Sequence, residues 1–217
     1  MTSSTAMLLA VLAAVPATRA AAEPEAAPLK FPSILSAESL HGNSGAVGWA
    51  GFSSIGAAYA QGVTLQDDLG ASADFDWGST ELRLGVLWRR PLGTAGGWTM
   101  GGRLGLSWYL DFGGTWIHDD NRSDRGFTLA PALILSTRAG EGVVSITGDL
   151  PLTVTTKRGG GFQAAPKASV AFEAPLYGPW TLGVSGGLQW RGGSGGAPMR
   201  SGRVQPELLV LAGYRVF

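Results

Sequence analysis

The stretch WTMGGRLGLSWYLDF, residues 98–112, alternates between apolar and polar side chains over its whole length. Successive side chains of a β-strand point to opposite faces. Trp98, Leu104 and Trp108 therefore share one face, while Arg103 and Ser107 share the other. Strands in globular proteins are usually about 5–6 residues long. The stretch predicts a strand of unusual length that is apolar on one side and polar on the other.

Two pairs of tryptophans occupy such runs. Trp98 and Trp108 are ten positions apart, as are Trp180 and Trp190, so both rings of a pair share one face. At about 3.3 Å per residue and a tilt of about 40°, this spacing rises about 25 Å, the height of the apolar band around a transmembrane barrel. Tryptophan concentrates at membrane–water interfaces. We therefore predict that these four residues, with Trp88 on a neighbouring run, are interface anchors.

The same period of two continues on both sides of this stretch. Alternating runs cover residues 80–90, 127–138, 144–155, 162–176, 180–191 and 208–216. Prolines interrupt them at Pro131, Pro151, Pro166 and Pro175. Because proline has no N–H for the ladder, we expect bulges or strand ends there. Glycines and charged residues break up the apolar stretches beyond residue 22, which argues against helical membrane spans.

The links between the runs are short at one end of the predicted sheet and longer at the other. The short links are 92–97, 139–142 and 177–179, and the longer ones are 113–126, 156–161 and 192–203. This asymmetry is typical of an all-β, transmembrane, antiparallel up-and-down barrel, which in bacteria has an even number of strands. Further strands at 44–51, 55–63 and 68–77 give ten. The alternative is eight, with 46–60 as one strand and 61–79 as an external loop.

The beginning of the chain has the features of a secretory signal. Residues 6–17 form an apolar run, followed by small residues, that is too short for a membrane helix of about 20 residues. We expect residues 1–22 to be removed as a signal peptide, with cleavage after Ala20 or Ala22. Residues 23–43 then form a periplasmic leader rich in proline and alanine, and residues 44–217 form the barrel.

The overall composition narrows the function classes. Sixteen Lys and Arg balance 16 Asp and Glu among the 217 residues, so the charge gives no reason to expect nucleic acid as a partner. Cysteine is absent, which excludes disulfides and thiolate metal sites. We expect no cofactor and no metal.

The chain ends in LLVLAGYRVF, residues 208–217. An amphipathic last strand that closes on an aromatic residue resembles the assembly signal of bacterial outer-membrane β-barrel proteins. Tyr214 and Phe217 carry it here, although Phe217 falls one position out of phase with the apolar face. The resemblance implies a small, monomeric, porin-like barrel in the Gram-negative outer membrane. Its partners are then outer-membrane lipid, lipopolysaccharide and the barrel-assembly machinery.

Charged side chains stand mainly at positions that face the predicted lumen. The set includes Arg83, Arg103, Asp149, Lys167, Glu173 and Arg191. Buried charges persist when they are paired, so we expect an internal ion-pair network that fills a narrow barrel. The alternative is a charge-selective passage.

One group of residues has the side-chain types of a hydrolase. Asp74 and Asp76 share a face near the outer end of the third strand, and His118 lies in the longest external loop. A carboxylate and an imidazole can together activate water. The group resembles the omptin family of ten-stranded outer-membrane aspartyl proteases. That family's second pair is Asp-x-His on a strand, however, whereas His118 is followed directly by Asp119. The competing interpretation is a solvated acidic rim.

Other catalytic and metal sites fit the sequence less well. His41, the other of the two histidines, lies before the barrel and so does not suit a lipid-editing Ser–His–carboxylate site. Asp119, Asp120 and Asp124 carry oxygen ligands for calcium but lack the spacing of an EF-hand.

The favoured function is a non-enzymatic envelope protein, either a loop-presenting anchor or a narrow solute passage, with an omptin-like protease as the alternative. A soluble β-sandwich or lipocalin-like barrel is the alternative fold. It predicts Leu104, Leu106 and Val184 in an enclosed centre, with Arg103 and Gln189 outside. A membrane barrel predicts the reverse.

Overall fold

The computed structural model describes residues 33–52, 54–77, 80–113, 124–156, 160–195 and 203–216. These residues form β-strands joined by turns. Within the described ranges, no helix is long and apolar enough to cross a membrane. The architecture therefore follows from how the strands pair.

The strands pair antiparallel with their neighbours and close into a barrel. In the described residues they are β1 (Ser44–Gly51), β2 (Ser54–Gly62), β3 (Asp68–Asp76), β4 (Glu81–Ala95), β5 (Trp98–Asp111), β6 (Arg125–Ala139), β7 (Gly142–Asp149), β8 (Leu152–Thr155), β9 (Gly161–Ala164), β10 (Lys167–Pro175), β11 (Trp180–Gly195) and β12 (Arg203–Val216). The last strand, β12, pairs with both β11 and β1, which leaves no open edge between the ends of the chain. The prediction of an all-β, antiparallel up-and-down barrel is confirmed.

Over the described residues, ten strands make the wall, because two pairs of segments are halves of single strands. β7 and β8 are separated only by Leu150 and Pro151, and both pair with β6 in one register. β9 and β10 are divided at Ala165 and Pro166, and both pair with β11. The predicted count of ten is confirmed. The alternative of eight is wrong, since β1 and β2 are separate antiparallel strands.

The prolines within the strands explain these divisions. The carbonyls of Pro131, Pro151 and Pro166 each accept a backbone N–H from the next strand at 2.9 Å. Their own missing N–H groups leave the ladder incomplete at the same places. The register is the same on both sides of each division, so the ladder is interrupted without a bulge. Pro175 is the last residue of β10, as expected for a strand end.

The two ends of the barrel differ in their connections. We call the end where β1 begins the near rim and the opposite end the far rim. The near-rim connections are residues 63–67, 96–97, 140–141 and 176–179, and the far-rim connections are 52–53, 77–80, 112–124, 156–160 and 196–202. The two longest connections, 112–124 and 196–202, both belong to the far rim. The barrel therefore has the predicted asymmetry.

Two strands extend further than the alternation predicts. β4 continues to Ala95 through an irregularity between Pro91 and Gly93, so the predicted link at 92–97 is wrong. The turn itself is Gly96–Gly97, where both residues have the positive φ that glycine adopts at little cost (57° and 80°). β11 similarly reaches Gly195, which shortens the connection predicted at 192–203.

The register climbs steadily around the barrel. A line of paired residues that starts at Ser44 on β1 arrives at Val204 on β12. Ser44 itself pairs with Val216, twelve residues further along. The line thus rises toward the far rim by about one residue per strand. Such a stagger accompanies strands that tilt by about 35–45° from the barrel axis.

The apolar side chains lie on the outside of the barrel. Leu104, Leu106 and Val184 are 40%, 50% and 53% exposed. Inward-facing Ile134 and Ser136 are buried by contrast. The aliphatic faces of β5 and β11 thus point away from the enclosed centre. This is the opposite of the arrangement that a lipocalin-like barrel requires.

The chain that precedes β1 packs inside the near rim. We call residues 33–40 the N-terminal segment. Ser36 and Ala37 are fully buried, and Ile34 and Leu40 are nearly so. The two apolar side chains join an interior cluster with Val47, Ala58, Ala60 and Leu211. The N-terminal segment, which belongs to the predicted leader, therefore fills the interior of the barrel at the near rim. Residues 1–32, including the predicted signal peptide, lie outside the described residues.

Candidate functional site

The N-terminal segment is held by a fully buried ion pair on the barrel wall. Arg89 on β4 and Asp68 on β3 are both 0% exposed. Arg89 donates from Nε and Nη2 to Oδ2 of Asp68 at 2.9 and 2.6 Å. Its Nη1 donates to the carbonyl oxygens of Ser33 and Ser36 at 2.6 and 2.8 Å. One guanidinium therefore ties the wall to two points of the segment.

The carboxylate of Asp68 uses its second oxygen in the same way. Oδ1 accepts from the hydroxyl of Ser39 at 2.9 Å and from the backbone N–H of Leu40 at 3.0 Å. Buried charges are tolerated when they are paired and hydrogen-bonded, and both members of this pair meet that condition. The segment supplies four of the partners, so the pair and the segment form one unit.

Three more strands carry polar side chains of the network that holds the segment. The Ser33 hydroxyl donates to Glu173 on β10. The backbone N–H of Ala37 donates to Oγ of Ser136 on β6 at 2.8 Å. That oxygen lies 2.9 Å from Oγ of Ser145 on β7. The segment thus has polar contacts with β3, β4, β6 and β10, and with β7 through Ser136.

A glycine on β5 makes room for the segment. A Cβ on Gly101 would lie 2.9 Å from the carbonyl oxygen of Ala37 and 3.0 Å from its Cα. Any side chain at this position would therefore press on the backbone of the segment. At the outer edge of the near rim, Arg138 forms a longer ion pair with Glu38, with 3.4 Å between Nη2 and Oε2.

Among the described residues, two ion pairs lie on the inner wall beyond the segment, and each spans one intervening strand. Arg103 and Asp149 meet with Nη2 and Oδ1 2.5 Å apart, and Lys167 pairs with Glu207. Their side chains keep between 11% and 26% of their exposure, whereas the Arg89–Asp68 pair keeps at most 1%. The lumen is therefore dry at the segment and partly open to solvent above it.

The predicted luminal set is distributed over these layers. Arg103, Asp149 and Lys167 belong to the middle pairs, and Glu173 contacts the segment. Arg83 pairs with Glu81 toward the far rim. The side chain of Arg191 lies outside the described residues.

Sequence reasoning missed the ion pair at the centre of the near rim. Arg89 has the same inward parity as Arg83, and Asp68 begins the adjacent strand. That parity was the available signal. The segment's own contribution had no comparable signal, because serines and alanines before the first strand resemble an ordinary leader.

The candidate catalytic residues lie at the far rim. Asp74 pairs in register with Arg83, and Asp76 with Glu81. His118 lies outside the described residues. Within those residues, no group of three or more His, Asp and Glu is placed to hold a metal ion. His41 is exposed at the turn between the segment and β1.

The predicted anchors lie on the outer surface. Trp88, Trp98, Trp180 and Trp190 are exposed, and Trp108 is half-exposed. Tyr214 packs edge-on against Trp180 with ring centroids 4.7 Å apart. The other residue of the predicted assembly signal, Phe217, lies outside the described residues.

Comparison with known proteins adds no relative. The chain matches no protein-family model, no curated protein and no solved structure.

Proposed function

We propose that this chain is an integral β-barrel protein of a Gram-negative outer membrane, with its outer face in lipid. The observation that carries the proposal is the height of the tryptophans on the barrel. Paired residues lead from Trp98 on β5, across four strand boundaries, to Val184 on β11. This line climbs toward the far rim by about one residue per strand. The residue of β11 at the same height as Trp98 therefore lies about four residues from Val184 in the direction of the near rim. Trp180 stands there.

The second pair repeats the relation. Paired residues lead from Trp108 to Ser194, four residues beyond Trp190. Trp108 and Trp190 are therefore also level with each other. Two strands on different sides of the barrel thus carry tryptophans at the same two heights, about 25 Å apart along the axis.

An aliphatic belt fills the space between the two levels. It includes the exposed side chains of Leu104, Leu106, Leu129, Leu133, Leu182, Val184 and Leu188. A soluble protein rarely exposes a contiguous apolar surface of this extent. A hydrocarbon layer about 25 Å thick, bounded by aromatic residues, is the solvent such a surface fits.

The asymmetry of the rims supports an orientation. Outer-membrane barrels have short periplasmic turns and longer extracellular loops. The far rim, with connections 112–124 and 196–202, then faces outward toward lipopolysaccharide, and the near rim faces the periplasm. The protein acts as a monomeric, non-enzymatic envelope anchor that presents these loops, after export by a signal peptide and insertion by the barrel-assembly machinery.

Cysteine labelling in intact cells tests location and orientation together, because the natural chain has no cysteine. Thr156→Cys is exposed at the far rim and Glu141→Cys at the near rim. We expect a membrane-impermeant maleimide to label the Thr156 variant on whole cells, and the Glu141 variant only after the outer membrane is permeabilised. Equal labelling of both on whole cells, or recovery of the protein in the soluble fraction, would contradict the proposal.

The described residues do not support the protease alternative. Asp74 lies beside Arg83, which pairs with Glu81, and within hydrogen-bonding reach of Trp49. No histidine accompanies it among the described residues of the far rim.

A further inference from the structure

The N-terminal segment is almost completely buried inside the near rim of the barrel. Its residues contact a ring of wall side chains, and Gly101 leaves the space that Ala37 fills. Arg89 and Asp68 are completely buried beneath it. In a barrel that spans a bilayer, this layer would separate the two aqueous sides.

The polar attachments of the segment are of a kind that water can replace, whereas its apolar attachment is the burial of Ile34 and Leu40 in the interior cluster. Arg89 donates hydrogen bonds to backbone carbonyls of the segment, and Asp68, Glu173 and Ser136 accept hydrogen bonds from its serine hydroxyls and backbone N–H groups. The segment adds no strand to the barrel, since β1 begins only at Ser44 and the wall is closed without it. Removing it would therefore leave the wall intact and its polar groups free to bind water.

The charged side chains of the lumen beyond the segment are already partly exposed. Arg103, Asp149, Lys167 and Glu207 lie there with net charge zero, and small residues such as Ser107 and Gly105 line the same face. Small hydrated ions of either sign can pass such a lining, whereas a closed apolar core would exclude them. Toward the far rim, luminal Asp76, Tyr109 and Gln163 are 7%, 5% and 8% exposed, so the layer at the segment, where Arg89 and Asp68 are 0% exposed, is the more completely closed of the two.

We propose that residues 33–40 are a releasable stopper, and that the barrel conducts small ions when the segment leaves the near rim. The proposal rests on the proposed insertion into a membrane. Arg89 and Asp68 hold the stopper through its backbone, and the serines at both of its ends add side-chain bonds. The class of solute is small and hydrophilic, because the remaining lumen of a ten-stranded barrel is narrow.

Planar-bilayer recording of the purified chain tests the stopper. Deletion of residues 33–40 should give sustained current under conditions in which the natural chain is mostly closed. Ser33→Ala with Ser39→Ala removes the two hydrogen bonds that these hydroxyls donate to Glu173 and Asp68, together with the two that they accept from backbone N–H groups of the segment and its following turn. The wall is left unchanged, so we expect a mean current about tenfold above the natural chain. Ser107→Ala is the matched control, a luminal serine at a distance from the segment, and it should behave as the natural chain does.

A reversible lock gives the opposite perturbation. A Cβ on Gly101 would lie 3.1 Å from Cβ of Ala37, so a cysteine there presses on the segment as any side chain would. A disulfide to position 37, formed after a shift of a few tenths of an ångström, holds the segment against that pressure, and Gly101→Cys alone is the control for the pressure itself. In the Ala37→Cys, Gly101→Cys variant carrying the two alanine substitutions, oxidation should abolish the current and reduction should restore it. The absence of other cysteines makes the response specific.

The outcomes separate this proposal from the one it rests on. Protease protection and the heat-dependent gel shift of the same vesicles report whether each variant has inserted. Failure of the natural chain to insert would overturn both proposals. Inserted deletion and alanine variants that pass no more current than protein-free bilayers would overturn the stopper alone. So would current that persists in the oxidised variant.

Discussion

Replacement of Arg89 by methionine should destabilise the barrel more than replacement of a partly exposed luminal charge such as Arg83. The side chain is fully buried and makes four hydrogen bonds of 2.6–2.9 Å. Methionine preserves most of the volume but leaves the Asp68 carboxylate buried without a cation. Breaking a buried pair in this way costs about 3–5 kcal/mol of the free energy of unfolding. Two carbonyl oxygens of the segment also lose their donor.

The assay is equilibrium unfolding in urea of the protein folded into phospholipid vesicles, followed by tryptophan fluorescence. Arg83→Met is the control on the same strand, because its side chain is 37% exposed beside Glu81. A pair of that exposure is worth about 1 kcal/mol or less. Removing both partners, Arg89→Met with Asp68→Leu, should recover part of the loss, since no buried charge is left alone. An Arg89→Met variant that loses no more stability than Arg83→Met would refute the reasoning.

Three further changes have defined outcomes. Gly101→Val places atoms within 3.0 Å of the Ala37 backbone and should expose residues 33–43 to added protease, whereas Gly105→Val, whose Cβ would meet Ala130 at 3.6 Å, should not. Ser39→Ala removes one hydrogen bond to Asp68 and should lower the free energy of unfolding by about 1 kcal/mol in the same urea titration. Leu106→Arg puts a charge on the outer belt and should cost about 2–4 kcal/mol in vesicles. A loss below 1 kcal/mol for Leu106→Arg would argue that this face does not meet lipid.

The period-two pattern was sufficient to predict the wall of the barrel. It placed β1 and β2 as separate strands and assigned Leu104 and Val184 to the outside, because alternation determines which face each residue occupies. It could not determine where β4 ends. Apolar and small residues continue through Pro91 and Gly93, and a one-residue irregularity there shifts the register without leaving a sequence signal.

The interior was less accessible to sequence reasoning, because pairing inside a barrel depends on its stagger. Which charges meet on the inner wall follows from the register of the strands between them, so Arg103 could be placed inside but not matched with Asp149. The N-terminal segment was harder still. Its fit depends on a missing Cβ at Gly101 and on backbone carbonyls at Ser33 and Ser36, which carry no signature in the sequence.

Depth-dependent fluorescence quenching tests most directly whether the outer face of the barrel meets lipid. Single-tryptophan variants would retain Trp98, Trp108 or Trp49, with phenylalanine at the other tryptophan positions, in vesicles of phospholipid brominated at shallow or deep acyl positions. We predict strong quenching of Trp98 and Trp108, greater with shallow bromines. Trp49, which packs against the interior cluster, should be the least affected. Quenching of Trp49 equal to that of Trp98, or no quenching of any of the three, would contradict the account.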